Sequence, residues 1–295
     1  MTFMDPLDLV QLTALMNRTS GRPDIVVGLL DGPVVMNHPD LEGGNIRQIS
    51  GSLAGTCAQV NSAACAHGTF VAGILSAKRG SAAPAICPGC TLLVRPIFSE
   101  TIPRGEPLPS TTPEELATAI IECIAAGARV INLSSAFAHP SSKSERALEE
   151  ALDHAARRGV LVVAAAGNQG TLGSSAITRH PWVIPVAACD RRGGPLDQSN
   201  LGHSIGRRGL RAPGDAIASL GIDSQPLTSG GTSVAAPFVT GAIALLWSEF
   251  PSTTAPEMRV AITQIHAPRR ATVVPPLLDA WAAYEARRSS VHARG

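Results

Sequence analysis

Five runs of aliphatic and β-branched residues punctuate the chain: Ile25–Leu30, Leu92–Ile97, Arg129–Leu133, Val160–Ala164 and Val183–Ala187. Their apolar character is continuous rather than alternating, which predicts strands of a parallel sheet covered on both faces. Between them the pattern changes to a helical period. Thr112-Pro113-Glu114-Glu115 reads as a capping box with proline at the first helical position. It opens a helix with Leu116, Ile120 and Ile124 on one face and Gly127 as its stop. Ser141 or Ser144 opens another, with Leu148, Leu152 and Ala155 as its buried stripe and Gly159 as its stop. A third, apolar almost all round, is expected over Val234–Trp247. Strand–helix–strand alternation predicts an α/β fold: a doubly wound, mostly parallel sheet with helices on both faces, in three layers.

The proline-rich segment Glu100–Thr112 reads as a surface loop, because the alternation continues across it. No internal repeat is present. One domain is expected over residues 25–286, with a lead-in at 1–24 and a flexible basic tail at 287–295.

Composition narrows the function. Only ten of 295 residues are aromatic, so Ala, Val, Ile and Leu must fill the core. A net charge of +1 and few rings for base stacking exclude a nucleic-acid binder. Charged residues are 16%, too few for a disordered chain. The longest apolar runs, Gly159–Gly167 and Val239–Trp247, are about nine residues each, so no membrane partner is expected. The N-terminus lacks a basic region and carries Asp5 and Asp8 where a signal peptide would be apolar. A cytoplasmic location is therefore expected.

Six cysteines complicate that expectation. Cys123 falls on a helical stripe and Cys189 ends a buried strand, where thiols behave as small hydrophobes. Cys57/Cys65 and Cys87-Pro-Gly-Cys90 form two loop pairs. They can be free thiols, the first expectation for a cytoplasmic chain, or one or two disulfides, or a four-thiolate zinc site. The second pair has no redox-domain context, so a thioredoxin-like role is not expected.

In doubly wound sheets the chemistry collects beyond the C-terminal strand ends. The first strand ends in Asp31-Gly32. Further on, His67-Gly68-Thr69-Phe70-Val71-Ala72-Gly73 puts a histidine at the start of a helical stretch. A Gly-rich turn then delivers Ser233 into the first turn of an apolar helix through Ser229-Gly230-Gly231-Thr232-Ser233. Each alone has an ordinary reading: a turn former, a satisfied polar side chain, a helix cap. Together they supply a nucleophile, a base to take its proton and a carboxylate to orient that base. Ala165-Ala166-Gly167-Asn168-Gln169-Gly170 adds an amide able to donate to a developing oxyanion.

These motifs resemble those of the subtilisin-like serine proteases, or subtilases: Asp31-Gly32, HGTFVAG at 67–73, AAAGNQG at 164–170, RAPG at 211–214 and GTSVAAP at 231–237. The resemblance implies Asp31 as orienting acid, His67 as general base, Ser233 as nucleophile and Asn168 as oxyanion donor. It further implies that Ser134, Ser135 and Ala136 pair with an extended peptide, and that Ala165, Ala166 and Gly167 line the pocket before the scissile bond. No cofactor or metal is implied. Matching His180-Pro181-Trp182 to the loop under that pocket puts Arg179 near its floor, where it would select an acidic or polar residue before the cut. A solvated surface arginine is the alternative.

A narrower resemblance comes from Asp31-Gly32-Pro33-Val34, the lead-in before it, and Cys87-Pro-Gly-Cys90 followed by Arg95-Pro96-Ile97-Phe98. It is to the proteases that mature cyanobactins, which implies a precursor peptide made on the ribosome and then modified as the partner. With 30 residues before Asp31, no folding propeptide is expected. Some relatives of that kind macrocyclise under a helical lid. The segment between Asp31 and His67 is Gly-rich and shows no amphipathic helix, so hydrolysis is expected. A general peptidase and a silent peptide-binding module remain as alternatives.

Overall fold

The computed structural model describes residues 4–49, 51, 57–59, 62–100, 111–134, 145–223, 225–263 and 272–292. In chain order its strands are β1 (Val26–Asp31), β2 (Ile46–Gln48), β3 (Thr91–Pro96), β4 (Val130–Leu133), β5 (Leu161–Ala165), β6 (Val183–Cys189), β7 (Leu210–Pro213), β8 (Ile217–Leu220) and β9 (Pro226–Ser229). The helices are α1 (Pro6–Leu9), α2 (Leu12–Met16), α3 (Ala63–Ser76), α4 (Pro113–Ala125), α5 (Glu145–Arg158), α6 (Ala176–Arg179), α7 (His203–Arg208), α8 (Thr232–Glu249), α9 (Ala255–Thr263) and α10 (Ala280–His292).

Seven strands form one parallel sheet in the order β2-β3-β1-β4-β5-β6-β7, and β8 and β9 form a separate antiparallel pair. The continuous apolar runs now have their explanation. Alternate residues of each run enter two different cores. Val27, Leu29, Leu92, Val94, Leu161 and Val163 face one, with Phe70 and Ile74 of α3 and Phe238 of α8. Val26, Leu30, Leu93, Val162 and Ala164 face the other, with Leu116 and Ile120 of α4 and Leu148 and Leu152 of α5.

From β1 the chain passes β3 to the edge strand β2, comes back through α3 to β3, and then passes β1 to reach β4. α3 packs on one face of the sheet with Val27 and Leu29, and α4 and α5 pack on the other with Val26 and Leu30. β1 is the switch point of the sheet, and the crevice beyond its carboxyl end is where such folds place their ligands. Asp31 ends β1.

Several expectations need adjusting. The lead-in is not a separate segment, for Val10, Leu12 and Leu15 are fully buried in the same core as α8. Ala280 N–H donates to the Val10 carbonyl at 3.0 Å, tying that segment to α10. The basic tail does not begin at 287 as a frayed end, since α10 runs through His292. Arg287 is buried there and donates to Thr253 Oγ1 at 3.1 Å. The capping box is half formed. Thr112 accepts from Glu115 N–H at 3.1 Å, but the Glu115 carboxylate pairs with Arg95. Arg95 has no exposed side-chain surface, and its charge needs Glu115 and Glu122 beside it. Residues 141–144, where the start of α5 was expected, lie outside the described residues, as do 101–110 of the proline-rich loop.

Among the described residues no helix is long and apolar enough to cross a membrane.

Candidate active site

The site is assembled by backbone laid directly on backbone. α3 crosses the exit of β1 so closely that a Cβ on Gly32 would stand 1.9 Å from the Ala64 carbonyl oxygen. A Cβ on Gly68 would stand 2.4 Å from the carbonyl oxygens of Gly32 and Pro33. Only glycine permits that approach. Ser62 caps α3, its Oγ accepting from Cys65 N–H at 3.2 Å. His67 consequently sits one turn inside the helix, not at its start as its motif suggested. The extra turn, Ala63–Ala66, is what rests on Gly32, and this accounts for the glycine directly after the acid.

From that position His67 Nδ1 lies 2.7 Å from Asp31 Oδ1. The same oxygen accepts Gly32 N–H at 2.7 Å, and Asp31 is fully buried. Burial of the imidazole by itself lowers its pKa, but the charge of Asp31 and its hydrogen bond outweigh that effect. The His67 pKa is raised above its ordinary value of 6.5. A carboxylate facing Nδ1 keeps the neutral ring's proton there and leaves Nε2 as the acceptor.

Nε2 faces Ser233 Oγ at 2.9 Å. Ser233 is the second residue of α8, where main-chain N–H groups have no partner within the helix and the dipole is positive. The turn before it is held by Gly231, with φ +114°, whose N–H donates to the Gly214 carbonyl at 2.8 Å. A Cβ on Gly231 would stand 2.9 Å from Asn168 Nδ2, so the Asn168 amide lies against this turn.

Asn168 follows β5 on an exposed loop. Its Oδ1 accepts Thr232 N–H at 2.8 Å, and Thr232 Oγ1 accepts Gly167 N–H at 3.1 Å. Thr232 was not singled out in the sequence, although it is the residue before Ser233 in a quoted motif. Its two polar groups join the nucleophile's helix to the loop that carries Asn168.

Among the residues expected to bind peptide, Ala165, Ala166 and Gly167 are buried beside Asn168. Ser134 is buried at the end of β4, and its Oγ accepts from Asn132 Nδ2 at 2.8 Å. Asn132 Oδ1 in turn accepts from Thr240 Oγ1 on α8 at 2.9 Å. Ser135 and Ala136 lie outside the described residues. Arg179 ends α6 with 56% of its side chain exposed, and it pairs with Glu145 of α5 at 3.0 Å. That position fits the surface arginine rather than a buried pocket floor.

The four loop cysteines divide. Cys57 and Cys65 form a disulfide, while Cys87 and Cys90 are buried free thiols, as are Cys123 and Cys189. A four-thiolate zinc site does not fit, because two of its sulfurs are bonded to each other. Among the described residues, Cys57, Cys65 and Glu100 are grouped as metal ligands would be. The disulfide removes both thiolates, and the Glu100 carboxylate accepts the N–H groups of Ala58 and Gln59.

Comparison with known proteins identifies relatives of the whole fold. The protease domain of PatA superposes with a TM-score of 0.84 at 31% identity, covering 92% of this chain and 97% of that one. The prenylagaramide maturation protease PagA gives 0.79 at 28% identity, covering 93% and 98%. Subtilisin DY of Bacillus licheniformis is 29% identical over 241 residues, 80% of this chain and 81% of that protein. The model of the Subtilase family, Peptidase_S8, matches residues 22–273. With so much of its length matched, the chain belongs to the Subtilase family and is a subtilisin-like serine endopeptidase.

Proposed function

We propose that Ser233 is the nucleophile, His67 its general base, Asp31 the orienting acid and Asn168 the oxyanion donor. The observation that carries this reading is the unbroken chain of contacts from Asp31 through His67 to Ser233, at 2.7 and 2.9 Å. As Ser233 Oγ attacks the scissile carbonyl, its proton passes to His67 Nε2, and Asp31 stabilises the imidazolium. Asn168 Nδ2 and the N-terminus of α8 face the negative oxygen of the tetrahedral intermediate. His67 returns the proton to the leaving amine, and water repeats the cycle on the acyl-enzyme. Ser134, Ser135 and Ala136 would pair with the extended substrate, with its side chain before the scissile bond in a pocket lined by Ala165, Ala166 and Gly167.

The proposed substrate is a ribosomally made, modified precursor peptide from which the leader is removed. The similarity to PagA, named as a prenylagaramide maturation protease, supports this reading. The Gly-rich segment before α3, with no helical pattern, supports hydrolysis over macrocyclisation. The test is incubation with short peptides encoded beside the gene and, in parallel, with casein, followed by mass spectrometry. One cut in a precursor and none in casein is expected. Broad cleavage of casein would make the protein a general peptidase.

A further inference from the structure

The loop that carries Asn168 is held from a second direction by a side chain that the reaction itself does not use. Asn200 Oδ1 accepts the N–H groups of Gln169 at 3.0 Å and Thr171 at 3.1 Å. Its Nδ2 donates to the Ala166 carbonyl at 3.3 Å and to Gln169 Oε1 at 2.7 Å. Its main-chain N–H donates to the Gly167 carbonyl at 2.8 Å. One residue thus holds polar groups of Ala166, Gly167, Gln169 and Thr171, on both sides of Asn168, without an interaction with Asn168 itself.

The segment around Asn200 is well anchored. Ser199 is buried, and its Oγ accepts Ala188 N–H of β6 at 3.1 Å. Gly170 N–H donates to the Gln198 carbonyl at 2.8 Å, and Leu201 N–H to the Thr171 carbonyl at 3.0 Å. Asn168, Gln169 and Gly170 are all exposed, so this loop is held by hydrogen bonds rather than by packing. A carboxamide suits the task because it accepts two N–H groups at one end and donates two hydrogens at the other.

We infer that Asn200 is a positioning residue for the oxyanion site, acting through the Ala166–Thr171 loop to aim the Asn168 amide. This inference rests on the reading of Asn168 as the oxyanion donor. An oxyanion donor works only if it is already in place when charge develops, so a loosened loop costs transition-state stabilisation more than substrate binding. Asn200→Ala is expected to lower kcat about 10- to 100-fold with little change in KM, since a displacement of about 1 Å can cost that much.

The experiment is a cycle of four enzymes: the parent, Asn168→Ala, Asn200→Ala and the double variant. Each is assayed for kcat and KM on one peptide ester, with folding checked by circular dichroism. Asn168→Ala should lower kcat, and adding Asn200→Ala to it should lower kcat little further. A residue that merely stabilises the fold would reduce kcat by the same factor in both backgrounds, and that result overturns the inference. So does an unchanged kcat in Asn200→Ala alone. An unchanged kcat in Asn168→Ala instead refutes the oxyanion reading on which the inference stands, and the two failures are told apart. Should Asn200→Ala not fold, Asn200→Asp keeps both acceptor contacts, loses both donated hydrogens and completes the same cycle.

Discussion

Thr232 N–H donates to Asn168 Oδ1 at 2.8 Å, and this contact settles which way the Asn168 amide faces. The atom that accepts an N–H must be the oxygen, so the NH2 end is the one available to the proposed oxyanion. Asn168→Asp keeps the contact to Thr232 and replaces only the donor. Its kcat is expected to fall by about 10²–10³ with KM little changed, the size of effect known for loss of such a donor in a subtilisin. A parental kcat in Asn168→Asp would show that the oxyanion is held elsewhere.

The pH profile follows from His67. The ring must be neutral to take the Ser233 proton, and its pKa is raised above 6.5 by Asp31. The acid limb of kcat/KM is therefore expected above 6.5. Asp31→Asn leaves only the lowering effect of burial, so the residual activity should persist to lower pH. Stability responds with the opposite sign. A raised folded-state pKa means that protonation favours the fold, fully below 6.5 and lost as pH rises through the folded value. A kcat/KM limb centred below 6.5 would contradict the Asp31–His67 coupling.

Gly32 offers a test of the backbone contact that brings acid and base together. A Cβ there would stand 1.9 Å from the Ala64 carbonyl oxygen. Gly32→Ala is expected to destabilise the protein by about 1–3 kcal/mol, as overpacking does. Because α3 must lift away, kcat should fall as well. An unchanged melting temperature and kcat would mean that the contact is not tight.

Much of this was legible in the sequence, and the exceptions share a cause. Continuous runs such as Val160–Ala164 revealed buried strands because both faces of the sheet are covered. Asp31, His67, Asn168 and Ser233 stood out because their chemistry is carried by short segments next to glycines. β2 and the β8–β9 pair escaped because they are short and partly exposed, with little apolar period to read. The sequence left two readings of Arg179 open, because proximity to a pocket loop says nothing about its partner Glu145, which lies 34 residues away. The depth of His67 within α3 depended on Ser62 as the cap, outside the motif that drew attention.

The Cys57–Cys65 disulfide closes a short loop next to α3, with a sequence separation of 8. The chain-entropy model gives such a loop about 2–3 kcal/mol of stabilisation. Cys57→Ser should lower the unfolding free energy by about that amount, read by denaturant titration, and mild reduction should reproduce the loss. No change in either would show that the loop is ordered without the bond. The disulfide persists only where its surroundings leave it oxidised. Its state in the producing cell, read by thiol alkylation, separates an oxidising compartment from the expected cytoplasm.

The central claim is that Ser233 attacks while His67 holds its proton. It is tested most directly by treating the parent and Ser233→Ala with a fluorophosphonate and reading the modified peptide by mass spectrometry. One adduct on Ser233 is expected in the parent and none in the variant, with peptide hydrolysis in the variant reduced by about 10⁶, as known from a subtilisin. An adduct on another residue, or hydrolysis by Ser233→Ala at the parental rate, would contradict the mechanism.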